Sequence, residues 1–518
     1  VKTLYYNGSI YTMKAPLDTV EALIEENGRI LQTGKVEVLR SQADREVDLK
    51  GQTLLPGLTD THQHLIMIGK KLKSLALHEV SDLDDMKRLV STYESTEKWN
   101  LILGYDENNF PDQYRPSHEE LDALTDKPTL VTRVCQHAGV VNTRGLELLG
   151  LDRTVTDPEG GYYERDENGE LTGWVYDKAF EAIRDATVED DVDSLSGDIE
   201  TAVDHLYTYG ITNAHTEDMS YHGPYQMPLE AYKKTLGPDR KKFRVNLLRH
   251  ERVYDEMVED APEFIEDWIE KDAMKLFMDG AFGGRTALVN APYEGTEDHG
   301  LQIHSKEALE SLVKKARANN DAIAVHVIGD KASELVVDAI EKFPVPEGKH
   351  DRLIHCSLLD ASLIERMSRL NVICDIQPTF LTSDMPWVES YLGTERLEYL
   401  YAFRTMQAHG LLLGGSSDAP IEAVNPLLGI HALVTRRGKT GVYNEKEAVS
   451  RYDAFRMYTH NAAKIVYKAD RAGLIEPGYY ADFAIFDRDV MTVEADELLE
   501  TRVEKTIVDG TIVYDAHN

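Results

Sequence analysis

The sequence predicts an α/β fold: a (β/α)8 TIM barrel with a long insertion after strand 1, plus a small β-sandwich formed by both termini. Three observations carry this. Eight apolar runs end in polar or charged residues and alternate with amphipathic helical stretches, the pattern of parallel β/α units. Both ends of the chain are instead made of short strand-like pieces broken by Asn-Gly or Asp-Gly. The 518 residues also exceed the roughly 250 of a plain barrel, so further substructure has to be placed.

Residues 1–56 contain TLYYNGSIYTM and EALIEENGRILQTG, with Asn7-Gly8 and Asn27-Gly28 at turn positions. Asn-Gly between apolar alternations signals a hairpin because both residues tolerate positive φ. Residues 469–518 repeat the style, with Asp509-Gly510 between two apolar runs. The two ends, 1–56 and 469–518, are therefore expected to form one composite β-sandwich domain around a barrel at 57–468. The barrel strands are expected in TLLPGLTDTHQHL, GITNAHTED, FRVNLLRH, AMKLFMDG, AIAVHVIGD, RLIHC, NVICDIQP and LLLGGSSD. Leu309, Leu312, Val313 and Ala316 recur at helical spacing, as do Leu335, Val336 and Ile340. Residues about 70–200 break the alternation, with helix-like stretches and a hairpin turning at Asn168-Gly169. This insertion is expected to roof the site, since barrel function sits on loops at the C-terminal strand ends.

Composition narrows the partners. With 91 acidic and 56 basic residues the formal charge is −35. Such a surface repels phosphate backbones and anionic lipid heads, so a small-molecule substrate is expected, with no nucleic acid and no membrane. A homodimer stays open. Cys135, Cys356 and Cys374 are isolated and odd in number, which fits a reducing cytoplasm better than a disulfide framework. The opening VKTLYYNGSIYTM reads as strand and turn; no signal peptide is expected from it.

The sharpest chemical feature is Asp60-Thr61-His62-Gln63-His64. Side chains at i and i+2 on a strand point the same way, so His62 and His64 can bind one metal ion. An HxH pair alone says little. Its weight comes from Lys275, His326, His355 and Asp418, each near the C-terminal end of a different predicted strand, counted as strands 4, 5, 6 and 8.

From NGSIYTM through PGLTDTHQHL, GYDENNFP, GGYYERDENGELTG, GITNAHTED, KLFMDGAFGGRTALV, HVIGDKA and GSSDAP to GLIEPGYYADFAIFD, the chain resembles the amidohydrolase superfamily, specifically its family 3 branch, which includes N-substituted formamide deformylase-like hydrolases. The resemblance implies a metal-dependent hydrolase acting on non-peptide C–N bonds through metal-activated hydroxide. It implies that His62 and His64 bind a first metal, a carbamylated Lys275 bridges two metals, His326 and His355 bind the second, and Asp418 is both ligand and catalytic proton carrier. One or two divalent ions are implied, zinc being the best match to imidazole and carboxylate donors. Ala419 follows Asp418 where the branch often has an aromatic residue, a departure expected to widen the pocket.

Arg285, in the glycine-rich loop after strand 4, can fork onto a substrate carboxylate or make a structural ion pair. Arg133 and His137 of the insertion and Gln377 at the end of strand 7 are further substrate-binding candidates. His215 and Asp218 are candidate supports for the ligands, and Asp330 is better placed as a helix cap than as an acid. Two rival functions remain: a mononuclear hydrolytic deaminase on the same scaffold, and a catalytically inactive regulatory barrel.

Overall fold

The computed structural model describes every residue except Gln136 and Glu189. The chain divides into two compact units, Val1–Ile66 with Ala202–Asn518, and Met67–Thr201. In the first, eight strands run in sequence order in one parallel sheet: Leu58–Gln63, Ile211–Thr216, Arg244–His250, Ile269–Phe277, Ile323–Val327, Asp351–His355, Val372–Ile376 and Leu412–Gly415, called barrel strands 1–8 below. Barrel strand 8 and strand 1 meet through the loop that follows: Asp418 N–H donates to the His62 carbonyl (2.9 Å) and His64 N–H to that of Ala419 (2.8 Å). This is the (β/α)8 barrel.

The runs become strands because both faces are covered. Every residue of barrel strands 1, 3, 6 and 7 is buried, as parallel strands between a packed interior and a helical shell must be. The helix Lys306–Ala318 starts at Ser305, whose hydroxyl accepts from Ala308 N–H (3.1 Å), and buries Leu309, Val313 and Ala316. The helix Asp330–Lys342 buries Val336, Val337 and Ile340, while Leu335 stays half-buried, so the apolar stripe is shifted by one residue from the expected one. No helix among the described residues is long and apolar enough to cross a membrane.

Strands from both ends of the chain share one further sheet. Its order is Thr511–Asp515, Val503–Val508, Phe483–Phe486, Thr53–Pro56, Thr3–Tyr11, Thr19–Glu26 and Arg29–Gly34, with Arg45–Asp48 added parallel to Thr3–Tyr11. Tyr5, Leu23, Leu54, Phe483, Ile485 and Ile507 make a common core on it. The turns at Asn27-Gly28 and Asp509-Gly510 are hairpins with both residues at positive φ. Asn7-Gly8 is not. Thr3–Tyr11 runs through it as one strand, and the register against Thr19–Glu26 shifts between Tyr6 and Ile10. Asn7, at φ 60°, makes a bulge there, the other use of a residue that tolerates positive φ.

The second unit, described by itself, holds a six-stranded sheet in the order Gly161–Arg165, Leu171–Asp177, Ala138–Val141, Thr129–Arg133, Asn100–Tyr105 and Leu75–Ala76. The hairpin at Asn168-Gly169 forms its edge, and the other four strands were not foreseen. They are two to six residues long, too short for a period of two to stand out.

Candidate active site

The C-terminal ends of the barrel strands bring the singled-out residues together. Strand register sets Lys275 beside His250, Phe277 beside His326, and Val327 beside His355. Donor atoms of His62, His64 and Asp418 lie within 4.8 Å of one another, a grouping able to hold a metal ion. One Asp418 oxygen, Oδ1, is 3.5 Å from His62 Nε2 and 3.3 Å from His64 Nε2.

The imidazoles are held in chosen tautomers. A carbonyl oxygen can only accept, so the ring nitrogen against it must carry the proton and the other keeps its lone pair. His64 Nδ1 donates to the Glu217 carbonyl (2.9 Å), leaving Nε2 free toward Asp418. His326 Nε2 donates to the Gly280 carbonyl (2.7 Å), leaving Nδ1 free. His355 Nδ1 donates to Gln377 Oε1 (2.6 Å), leaving Nε2 free. Three rings thus offer a lone pair, as a cation needs, and a carboxylate adds charge. Oriented imidazole and carboxylate donors, all buried or nearly so, suit a divalent cation.

Seven rings form a closed circuit: His62–His64 (5.5 Å between centroids), His64–Tyr221 (6.3 Å), Tyr221–His250 (5.9 Å), His250–Phe277 (5.7 Å), Phe277–His326 (5.1 Å), His326–His355 (4.4 Å) and His355–His62 (5.9 Å). Lys275 Nζ lies 4.4 Å over the Phe277 ring. Lys275 is fully buried, and its nitrogen has no hydrogen-bond partner among the described residues. Burial pushes its pKa down, although the carboxylates of Glu217 and Asp418 oppose this. Burial pushes against a charge on His64 too, but the hydrogen bond and charge of Asp418, with Glu217, raise it to about 9, so a cation taking the Nε2 lone pair displaces a proton shared with Asp418. For Asp418 burial is outweighed by His64, His355 and Lys275, and its pKa falls. Burial lowers His250 to about 4.

Glu217, at the end of barrel strand 2, was not singled out in the sequence. Its side chain is fully buried, Oε2 accepts from Tyr221 Oη (2.6 Å) and lies 3.8 Å from His64 Nδ1, and Oε1 has no partner among the described residues. Asp279 is a second unforeseen carboxylate. It accepts N–H bonds from Leu288, Ile328 and Gly329 and lies 3.5 Å from His326 Nε2, so it ties the loops after barrel strands 4 and 5 around that ring. Asp60 accepts from His62 N–H, Ser417 N–H and Ser417 Oγ, fixing barrel strand 1 to the segment that bears Asp418. Burial raises its pKa to about 7. Glu217 and Asp279 each follow an apolar strand, a signal too common to single them out, whereas Asp60 stands inside barrel strand 1, two residues before His62. His355 (φ 81°), Cys356 (φ 48°) and Asp418 (φ 55°) occupy the left-handed region without being glycine, strain of the kind held at functional sites.

Beneath the mouth, Arg352 is buried in the barrel interior. It pairs with Asp375 (2.9 Å) and Asp272, donates to the Thr61 carbonyl (2.8 Å), and meets His215 Nδ1 (3.2 Å). His215 thereby belongs to the interior network. Asp218 is used structurally, accepting from Ile66 N–H, Thr216 Oγ1 and Tyr232 Oη. Asp330 is the first residue of its helix, which Gly329 caps, and accepts from Asn290 N–H (2.9 Å).

The substrate-binding candidates fare differently. Gln377 was expected to meet substrate; instead Oε1 accepts from His355 and Nε2 donates to Ser416 Oγ (2.9 Å), so its carboxamide is occupied in orienting a histidine. Arg285 is exposed, at φ 53°, with its guanidinium stacked 4.3 Å over the Tyr391 ring and no carboxylate partner among the described residues. Arg133 and His137 belong to the 67–201 unit. There Arg133 makes a forked pair with Glu107 (2.7–3.0 Å), and His137 is exposed.

With this geometry in hand, relatives are informative. A model of the amidohydrolase family matches residues 45–514. The chain is 38% identical to the putative amidohydrolase YtcJ of Bacillus subtilis (strain 168), over 99% of this chain and all of that protein. It is 25% identical to the N-substituted formamide deformylase of Arthrobacter pascens, over 98% of this chain and 97% of that one. Among solved structures, an uncharacterized metal-dependent hydrolase from Pyrococcus horikoshii OT3 superposes with a TM-score of 0.81 at 28% identity, covering 96% of this chain and 99% of that one.

Proposed function

Since the chain belongs to the amidohydrolase family, we propose that it is a metal-dependent hydrolase that cleaves an amide or other non-peptide C–N bond of a small molecule. The observation that carries this reading is the convergence of His62, His64 and Asp418, with neighbouring imidazoles each hydrogen-bonded through one nitrogen so that the other is left to bind. His62, His64 and Asp418 would hold one cation, His326 and His355 a second, with a carbamate on Lys275 between them. Zinc is the ion that this donor set favours. Bound there, a divalent cation supplies Lewis acidity toward the substrate carbonyl and lowers the pKa of a water molecule.

The chain's own groups do the rest. Asp418 keeps its carboxylate ionised, takes the proton from the attacking water and delivers it to the departing nitrogen, which would otherwise leave as an amide anion. Lys275, desolvated and without a hydrogen-bond partner among the described residues, is suited to react as a neutral amine with CO2, forming an N–C bond and releasing one proton. Arg285, presented on an aromatic face with no carboxylate partner among the described residues, is placed to receive a carboxylate on the substrate. The test is a screen of zinc-loaded protein against N-substituted formamides, N-acyl amino acids, hydantoins and lactams, with ring amidines scored by ammonia release. Amide turnover that chelation abolishes and added divalent metal restores is the expected result. Turnover of ring amidines alone would make the protein a deaminase, and turnover that survives full metal removal would sink the reading. Lys275 is tested separately: protein equilibrated with 13C-bicarbonate should show a carbamate carbon signal that Lys275→Ala lacks.

A further inference from the structure

His250 belongs to none of the roles assigned so far. It ends barrel strand 3, pairs in register with Lys275, and fills the place in the ring circuit between Tyr221 and Phe277. It lies level with the proposed ligands, yet its ring is held the opposite way to theirs. His64, His326 and His355 each donate to an oxygen, which leaves a lone pair for a cation. His250 Nδ1 instead accepts, from the backbone N–H of Arg252 (3.1 Å). A ring nitrogen that accepts bears no proton, so the neutral imidazole carries its proton on Nε2. No hydrogen bond among the described residues uses that Nε2–H, and the residue is 4% exposed. The helix Glu251–Asp260 begins directly after it, so the tautomer is fixed by the helix's own first turn.

We propose that His250 is a substrate-contacting residue whose Nε2–H donates a hydrogen bond to the carbonyl oxygen of the scissile bond. It rests on the hydrolase reading above. When water adds to the acyl carbon, the C=O electron pair moves onto oxygen, and a donor already fixed in place stabilises that charge without reorganising. No proton is transferred, so Nε2 keeps its hydrogen throughout. A lone pair at this place would make His250 a ligand; a proton makes it a partner of the substrate.

The experiment compares zinc-loaded parent protein with His250→Phe, which keeps a ring without a donor, and His250→Gln, which restores an N–H on a shorter arm. Two probes are used: N-benzylformamide, and a phosphonamidate of the same shape carrying the charged tetrahedral oxygen. The expected result for His250→Phe is parent-like zinc content, a kcat/KM lower by about 10²–10³, and a comparable loss of phosphonamidate affinity, with partial recovery in His250→Gln. His250→Phe with full zinc and parent-like turnover and affinity would overturn the proposal. So would loss of zinc in both variants, which would make His250 a ligand or support. If the parent hydrolyses no amide, the hydrolase reading fails on its own. His250 is then judged by phosphonamidate binding, where equal affinity of parent and His250→Phe counts against it.

Discussion

Glu217 does two jobs with different parts of one residue. Its backbone carbonyl sets the tautomer of His64, and its carboxylate lends negative potential to a pocket that holds a buried lysine. Glu217→Gln preserves the first and removes the second. Zinc affinity should then fall by about 10–100-fold, as for other groups behind metal ligands, measured by competition with a chromophoric chelator. An unchanged affinity would mean that the charge is idle. Asp418→Asn makes a sharper case: with metal retained, kcat should drop by about 10²–10⁴, and near-parent turnover at full occupancy would move the proton relay elsewhere. The pairing of His62 with His64 was legible because strand parity alone aims both the same way, and Lys275, His326, His355 and Asp418 because each closes an apolar run. Glu217 and Asp279 were not, since an acid after a strand is common and their meaning lies in which backbone groups and rings surround them. Gln377 misled for the same reason: a strand-end amide can face outward to substrate or sideways to His355, and sequence spacing does not distinguish these.

Among elements, Arg352 links more strands than any spacing rule predicts. Standing on barrel strand 6, it reaches Asp375 on strand 7, Asp272 on strand 4, Thr61 on strand 1 and His215 on strand 2. Replacing it with methionine would leave two buried carboxylates without their cation. Stability should fall by about 3–5 kcal/mol, read from urea unfolding midpoints of metal-free protein. A loss under about 1 kcal/mol would show that water or proton uptake compensates those acids. The eight strands were recoverable from sequence because each is a buried run ending in polar residues, a pattern that survives without knowing its neighbours. The bulge at Asn7-Gly8 was not, because the same dipeptide serves hairpin and bulge and only strand length separates them. The short strands between residues 75 and 141 failed on length alone.

At the scale of the whole molecule, the first and last segments of the chain complete one sheet, with Phe483–Phe486 lying antiparallel to Thr53–Pro56. Deleting residues from 483 onward should therefore strip the edge of Thr53–Pro56 and expose Leu54 and Leu55, now fully buried. We expect the truncated protein in the pellet after lysis, while removal of the last three residues alone should leave it in the supernatant. Soluble truncated protein with intact thermal unfolding would contradict this. The same sheet also sets a clock on biosynthesis. A ribosome adding about 5–20 residues each second needs on the order of 20–90 s to travel from the Thr53–Pro56 strand to its partner. Throughout that interval the nascent Thr53–Pro56 strand holds an open hydrogen-bonding edge, and the sheet is finished only once Phe483–Phe486 and the strands after it have been made. Yield in a host should accordingly respond to elongation rate and to chaperones that shelter unfinished chains, even where the stability of the finished enzyme is unchanged.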